Sequence, residues 1–119
     1  MPANEPSTIV RIPLPDNCSV TPKTVYGHKG WFRCNTSLLE VNWNGHWEVF
    51  GIGTDFAIWH IASWFNGWRS MGGRAADMNW AFYDANGHPR VQVYVGPSAD
   101  ESDYWCSTYT SSWSGWYPC

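Results

Sequence analysis

Residues 47–73 read WEVFGIGTDFAIWHIASWFNGWRSMGG, and this stretch decides the fold. Short runs of aromatic and β-branched residues, which favour strands, alternate here with segments rich in glycine, asparagine and aspartate, which favour turns. Asn66-Gly67 is a strong hairpin signal between two such runs. The stretch therefore predicts a three-stranded antiparallel meander. Its predicted strands are residues 47–50, 56–63 and 69–71, and its predicted turns are residues 51–55 and 65–68.

A second copy of this meander occupies the C-terminal part of the chain. Trp105 takes the place of Trp59, and Trp116 follows Gly115 as Trp68 follows Gly67. Each meander is preceded by an Asn-Gly-His turn and, before that turn, by a strand-like run. Each copy therefore predicts four short strands, and a four-stranded repeat of this length is typical of a propeller blade. The matched segments are residues 38–43, 44–46 and 47–73 in one copy and residues 78–83, 86–88 and 90–119 in the other.

A weaker third copy lies near the N-terminus. It aligns Asp16 with Asp55 and repeats the motif Gly-Trp-x-x-[Cys/Met], whose copies end at Cys34, Met71 and Cys119. It lacks the Trp-His pair, so we expect an incomplete blade. The sequence thus predicts a flexible arm followed by a single all-β domain, with at most one helical turn, at residues 74–77. The predicted parts are the arm 1–8 and the domain 9–119, divided into an incomplete blade 9–34, a blade 38–73 and a blade 74–119.

Bulk composition limits the function classes. A chain of 119 residues has room for one domain, and a net charge of −3 argues against a nucleic-acid partner. No apolar run is long enough to predict membrane insertion. Ten tryptophans exceed what one small core readily hides. We therefore expect some exposed indoles, whose flat faces suit the apolar face of a sugar ring.

Four cysteines indicate an oxidising compartment, so the sequence predicts a secreted or extracellular protein, although no signal-peptide pattern opens the chain. The repeat places Cys106 and Cys119 where His60 and Met71 lie opposite each other in the first meander. Residues 18 and 34 flank a similar hairpin. We expect the disulfides Cys18–Cys34 and Cys106–Cys119, with free buried thiols as the alternative. Because no C-x-x-C pair occurs, no metal site is predicted.

Two segments carry a family resemblance: GTDFAIWH at residues 53–60 and NGWRSMGG at residues 66–73. They resemble the blade signature of the PLL-type bacterial lectins, which are sugar-binding β-propellers. The resemblance is specific in blade 38–73, fair in blade 74–119, where Cys106 replaces the histidine, and weak before them. It implies a lectin that binds glycans, with fucose or other deoxy or methylated sugars favoured, and no catalysis or cofactor. Because this family carries many blades per chain, we expect a homodimer or homotrimer to complete the propeller.

The predicted sugar-binding groups are indoles, amides and one imidazole. Asn-Trp dipeptides recur in the first strand of both blades, where ordinary packing is the alternative role. His60, beside Trp59, could contact a sugar hydroxyl or make a structural hydrogen bond. Trp64 and Trp113 lie at predicted hairpin tips and should be exposed. The full predicted set is Asn42, Trp43, Trp59, His60, Trp64, Asn79, Trp80 and Trp113.

Two other function classes remain open. One is a small protein-interaction module, toxin-like or inhibitor-like, whose disulfides stabilise a display surface. The other is a glycan-active hydrolase, which would need two carboxylates flanking the bond that is cleaved. Asp55 is expected to bond its own turn rather than to act on a substrate. The remaining carboxylates form no recognisable catalytic motif: Glu40, Glu48, Asp77, Asp84, Asp100, Glu101 and Asp103.

Overall fold

A computed structural model describes residues 5–6, 8–96 and 103–119 of the chain. These residues form an all-β, antiparallel structure in which no α-helix occurs. The strands are β1 Thr8–Pro13, β2 Val20–Val25, β3 His28–Arg33, β4 Ser37–Trp43, β5 His46–Ile52, β6 Ile58–Ala62, β7 Arg69–Ser70, β8 Asp77–Tyr83, β9 Pro89–Tyr94, β10 Tyr104–Thr108 and β11 Tyr117–Pro118.

Both predicted four-stranded meanders are present. Strands β4 to β7 pair in sequence order, and β8 to β11 form a second sheet in the same way. The last strand of the second meander begins later than expected, because Trp113 makes only an isolated bridge with Tyr109. The helical turn suggested for residues 74–77 is wrong. Ala75 N–H donates to the Phe56 carbonyl and Ala76 N–H to the Tyr94 carbonyl, so this segment runs extended between the two sheets.

Strand β1 joins the first sheet instead of a unit of its own. It pairs antiparallel with β4 over its whole length, from Thr8 opposite Asn42 to Pro13 opposite Ser37. The first sheet therefore has five strands in the order β1-β4-β5-β6-β7, and β2 and β3 form a separate hairpin. Residues 9–34 are thus divided between two sheets. The predicted arm 1–8 ends one residue too late, and its residues 1–4 and 7 lie outside the described residues.

The two larger sheets pack face to face around the main core. Successive strand residues point to opposite faces, so alternate apolar residues of each sheet meet in this layer. Ile58 and Trp116 contribute from opposite sheets, and the Trp116 indole donates to the Met71 carbonyl at 3.0 Å. The fully buried members include Leu39, Val41, Phe50, Ile52, Ala81, Val91 and Val93.

The hairpin β2–β3 covers the opposite face of the first sheet. Phe32 of β3 is buried there against Leu38, Val49 and Ile61. The Trp68 indole of the first sheet donates to the hairpin through the His28 carbonyl at 3.1 Å. The chain is therefore a stack of three layers, with the five-stranded sheet in the middle.

Both predicted disulfides are present. Cys18 and Cys34 close the hairpin with their Cα atoms 5.6 Å apart, and Cys106 and Cys119 close the second sheet at 5.8 Å. All four cysteines are paired, which is consistent with an extracellular protein. Among the described residues, no helix is long and apolar enough to cross a membrane.

Candidate functional site

A cleft of about 750 Å³ opens between the two larger sheets and is called the first cleft here. Four of the predicted sugar-binding residues line it, namely Trp43, His60, Trp64 and Trp113. Trp43, His60 and Trp64 come from the first sheet and its connections, and Trp113 comes from the β10–β11 loop of the second sheet. The other lining residues are His46, Glu48, Phe65, Arg69, Ser70, Met71, Pro89, Tyr109, Ser111, Ser112 and Ser114.

A buried carboxylate and imidazole form the polar floor of the first cleft. Glu48 of β5 and His60 of β6 point to the same face of the sheet, and only 8% and 6% of these residues are exposed. One Glu48 oxygen lies 2.5 Å from His60 Nδ1, and the other accepts from the Trp43 indole N–H at 3.2 Å. Both carboxylate oxygens are therefore engaged, as a buried carboxylate requires. This network fixes the ring positions of His60 and Trp43.

Aromatic rings form the walls of the first cleft. The Trp113 ring meets those of Phe50 and His60 edge-on, with centroids 5.6 and 6.4 Å away. Trp64 makes edge contacts with His46 and Phe65, yet 62% of it remains exposed. Trp113 is therefore a fixed wall, whereas Trp64 offers an open indole face at the rim.

The β10–β11 loop is held by hydroxyl groups, which set the position of Trp113. Ser107, fully buried in β10, donates from its hydroxyl to the Ser114 carbonyl at 2.7 Å. The Ser114 hydroxyl oxygen accepts from the Thr108 N–H at 3.1 Å. Tyr109 and Trp113 form a backbone bridge inside the loop. Because the returning side of the loop is bonded to β10 through Ser114, the position of Trp113 is fixed before a ligand binds.

The chemistry offered by the first cleft is ring stacking combined with polar contacts. Glu48 is the single carboxylate among the described residues that line it, whereas most glycoside hydrolases use two. The described residues also hold no group of three or more His, Cys, Asp or Glu side chains placed to bind a metal ion. The arrangement is suited to holding a ligand that presents both an apolar face and hydroxyl groups.

The two Asn-Trp dipeptides are not equivalent in space. Asn42 accepts from the Gly45 N–H at 2.6 Å and closes the β4–β5 turn, while Trp43 is 6% exposed and faces the second sheet. In β8, a bulge between Met78 and Trp80 inserts Asn79, which shifts the alternation by one position. The Asn79 amide donates to the Gln92 side chain at 2.5 Å. Trp80, 37% exposed, pairs with Gln92 on the outer face and lines none of the three described clefts.

Trp59 belongs to a different cleft from His60. Its indole donates to Asp55 at 3.0 Å, and the same Asp55 oxygen accepts from the Ala57 N–H at 3.1 Å. Asp55 thus bonds its own turn, as predicted. Trp59 lines a smaller cleft of about 260 Å³ at the hairpin, called the second cleft here.

A third, mainly apolar cleft of about 310 Å³ lies between the larger sheets and is lined by Trp105 and Trp116.

Some residues that line the first cleft were not predicted from the sequence. Glu48 was considered only as one carboxylate among several, and Phe65, Arg69 and Tyr109 were not predicted as binding residues. The register of β5 against β6 could have identified Glu48. Phe50 pairs with His60, and residue 48, two positions away, therefore lies on the same face of the sheet as His60.

Comparisons of the chain with known protein families, with curated proteins and with solved structures find no match.

Proposed function

We propose that the protein is a carbohydrate-binding lectin and that the first cleft holds the sugar. The observation that carries this proposal is the open indole of Trp64 beside a buried Glu48–His60 pair. An indole face stacks on the C–H face of a pyranose, and polar groups beside it can exchange hydrogen bonds with the hydroxyls.

The aromatic walls favour some sugars over others. A methyl or deoxy position adds apolar surface, and Trp113 and Tyr109 provide apolar walls for it in the first cleft. The resemblance to PLL-type lectins suggests the same preference, for fucose or other deoxy or methylated sugars. Secretion of such a lectin agrees with the two disulfides.

We also propose that several copies of the chain together form a β-propeller. In this proposal the two four-stranded meanders act as neighbouring propeller blades, and the outer face of the second sheet, which carries Trp80, has no described layer over it. Copies of the chain joined as a homodimer or homotrimer would cover such faces and close a ring. Light scattering tests this part separately, since a mass equal to the 13.6 kDa of one chain at micromolar concentration would refute it.

The test of sugar binding is a glycan array followed by titration with the best-bound sugar. Trp64→Ala should weaken binding by about 1–3 kcal/mol, the range typical of a large aromatic anchor. Trp80→Ala, compared at the same oligomeric mass as the wild type, is the matched control, because it removes an exposed indole outside the clefts. If the array gives no signal, or if Trp64→Ala binds as tightly as the control, the proposal fails.

A further inference from the structure

The second cleft lies on the face of the first sheet opposite the first cleft. It runs along β3 and the β5–β6 turn, between Trp31 on one side and Asp55 and Trp59 on the other. Lys29 also lines it. None of these four residues contributes to the first cleft.

The walls of the second cleft are held in place by four contacts. A backbone bridge joins Phe32 of the hairpin to Gly53 of the turn. The Trp68 indole packs closely on Gly30 and donates to the His28 carbonyl. The Trp59 indole is fixed by Asp55. The Cys18–Cys34 disulfide closes the hairpin itself. The cleft is therefore preformed, which lowers the entropic cost of binding.

Unused binding groups line this preformed cleft. Trp31 is 52% exposed, and Lys29 Nζ lies over its ring, 5.8 Å from the ring centre. Asp55 uses Oδ1 to hold its turn. Its Oδ2 accepts no hydrogen bond from the part of the chain that the structure describes. A ring surface, a free acceptor and a cationic donor therefore surround one space.

We infer that the second cleft is a second glycan site, in which a pyranose lies on Trp31 while neighbouring hydroxyls donate to Asp55 and accept from Lys29. This inference rests on the proposed function, because it assigns the same ligand class to a different place. With two sites on opposite faces of one sheet, a single chain is divalent and can bridge two glycans without oligomerising.

The test follows the ten indole N–H signals of uniformly ¹⁵N-labelled protein by NMR. The probes are the methyl glycosides of fucose, galactose, mannose and glucose. Two groups of signals should shift with separate dissociation constants. The signals of Trp43, Trp64 and Trp113 report the first cleft, and those of Trp31, Trp59 and Trp68 report the second.

Three variants separate the outcomes. Trp31→Ala should raise the dissociation constant reported by the second group at least tenfold and leave that of the first group unchanged. Trp64→Ala should do the reverse. Trp80→Ala should change neither dissociation constant. Undisturbed positions of the remaining indole signals verify folding, and Asp55→Asn offers a second probe that keeps the ring.

A response confined to the first group, or a second-group response that survives Trp31→Ala, would overturn the second site while leaving the proposed function intact. A response confined to the second group and lost in Trp31→Ala would uphold the second site and refute the first cleft. No response in either group to any probe overturns both.

Discussion

Trp59 and His60 are adjacent in β6, yet they line different clefts on opposite faces of the first sheet. Register explains the separation, because Trp59 pairs with Gly51 and His60 with Phe50, and successive strand residues alternate between faces. The Trp-His pair therefore lines two clefts rather than one. Glu48 holds His60 in the first cleft through a hydrogen bond to the imidazole.

Glu48 should be structurally important through its hydrogen bonds more than through its charge. Glu48→Gln keeps an oxygen for the Trp43 indole and an amide beside His60, so its free energy of unfolding should stay near that of the wild type. Glu48→Ala leaves both partners unsatisfied in a buried place and should cost about 1–3 kcal/mol. Urea unfolding followed by tryptophan fluorescence measures both. Equal stability of the two variants would show that these bonds contribute little.

Gly73 should be the least replaceable residue between the two larger sheets. Its φ of +72° disfavours any side chain, and an added Cβ would lie 2.6 Å from Trp116 Cδ1. Gly73→Ala should therefore cost the strain of a left-handed residue, roughly 1–2 kcal/mol, plus about 1–3 kcal/mol for displacing the indole. Gly72→Ala is the control, because Gly72 has a φ of +68° but open space around it. If urea unfolding gives both variants the same loss in the free energy of unfolding, the close approach of Gly73 to Trp116 does not contribute to the cost.

Tyr83 carries a buried hydroxyl that has no hydrogen-bond partner among the described residues, and burial raises the pKa of this phenol above its usual value. Its ring packs edge-on against Trp43 at 5.3 Å. Tyr83→Phe keeps the ring and removes the unsatisfied group, so it should leave the protein equally stable or more stable by up to about 1 kcal/mol.

Tyr117→Phe is the matched control for this change. It removes a hydroxyl that is bonded to Thr108 in the second sheet. We expect it to cost about 0.5–1.5 kcal/mol, the net value of a typical hydrogen bond. Thermal unfolding compares the two variants, and a larger loss in Tyr83→Phe than in Tyr117→Phe would contradict the assignment.

Local signals were sufficient to predict most strands and both disulfides. Runs of aromatic and β-branched residues between Asn-Gly turns identify β4 to β6 and β8 to β10, because strand preference and turn chemistry are properties of short segments. The cysteine pairing was predicted correctly, but the register assumed for it was wrong by two residues. His60 pairs with Arg69 and not with Met71, and Cys106 pairs with Tyr117, which lies two residues before Cys119.

Non-local pairing could not be predicted in the same way. Nothing within residues 8–13 indicates that β1 will pair with β4, some 24 to 34 residues further along the chain. The bulge at Asn79 has a similar effect on the site, because one inserted residue turns Trp80 away from the face that Trp43 occupies. Sequence reasoning therefore named four residues that line the first cleft, but it could not show that Trp59 and Trp80 lie away from them.

The Asp77 carboxyl should make the folded protein less stable as pH rises, which is the reverse of the usual effect of a carboxyl group. Burial raises the pKa of its carboxyl, although N–H donors of Ser37 and Met78 and the charge of Arg11 partly oppose this. A carboxyl whose pKa is raised on folding stabilises the protein below its unfolded pKa, near 4, and this contribution is lost as pH rises through the folded pKa. Asp77→Asn keeps an oxygen for both N–H donors at 2.8 Å and does not titrate. The variant should therefore gain stability relative to the wild type as pH rises from about 3 to 7.

Asp84 provides the comparison of opposite sign. The His88 N–H bonded to its carboxylate lowers its pKa, helped by the Asn86 N–H and by the nearby His88 and Arg90 side chains. Its stabilising contribution is present above the unfolded pKa and is lost as pH falls through the folded pKa. Asp84→Asn should therefore lose stability relative to the wild type as pH rises over the same interval. Urea unfolding of the wild type and both variants, repeated between pH 3 and 7, gives the two differences. Slopes of the same sign would show that burial does not dominate at Asp77 or that the turn does not stabilise the Asp84 carboxylate.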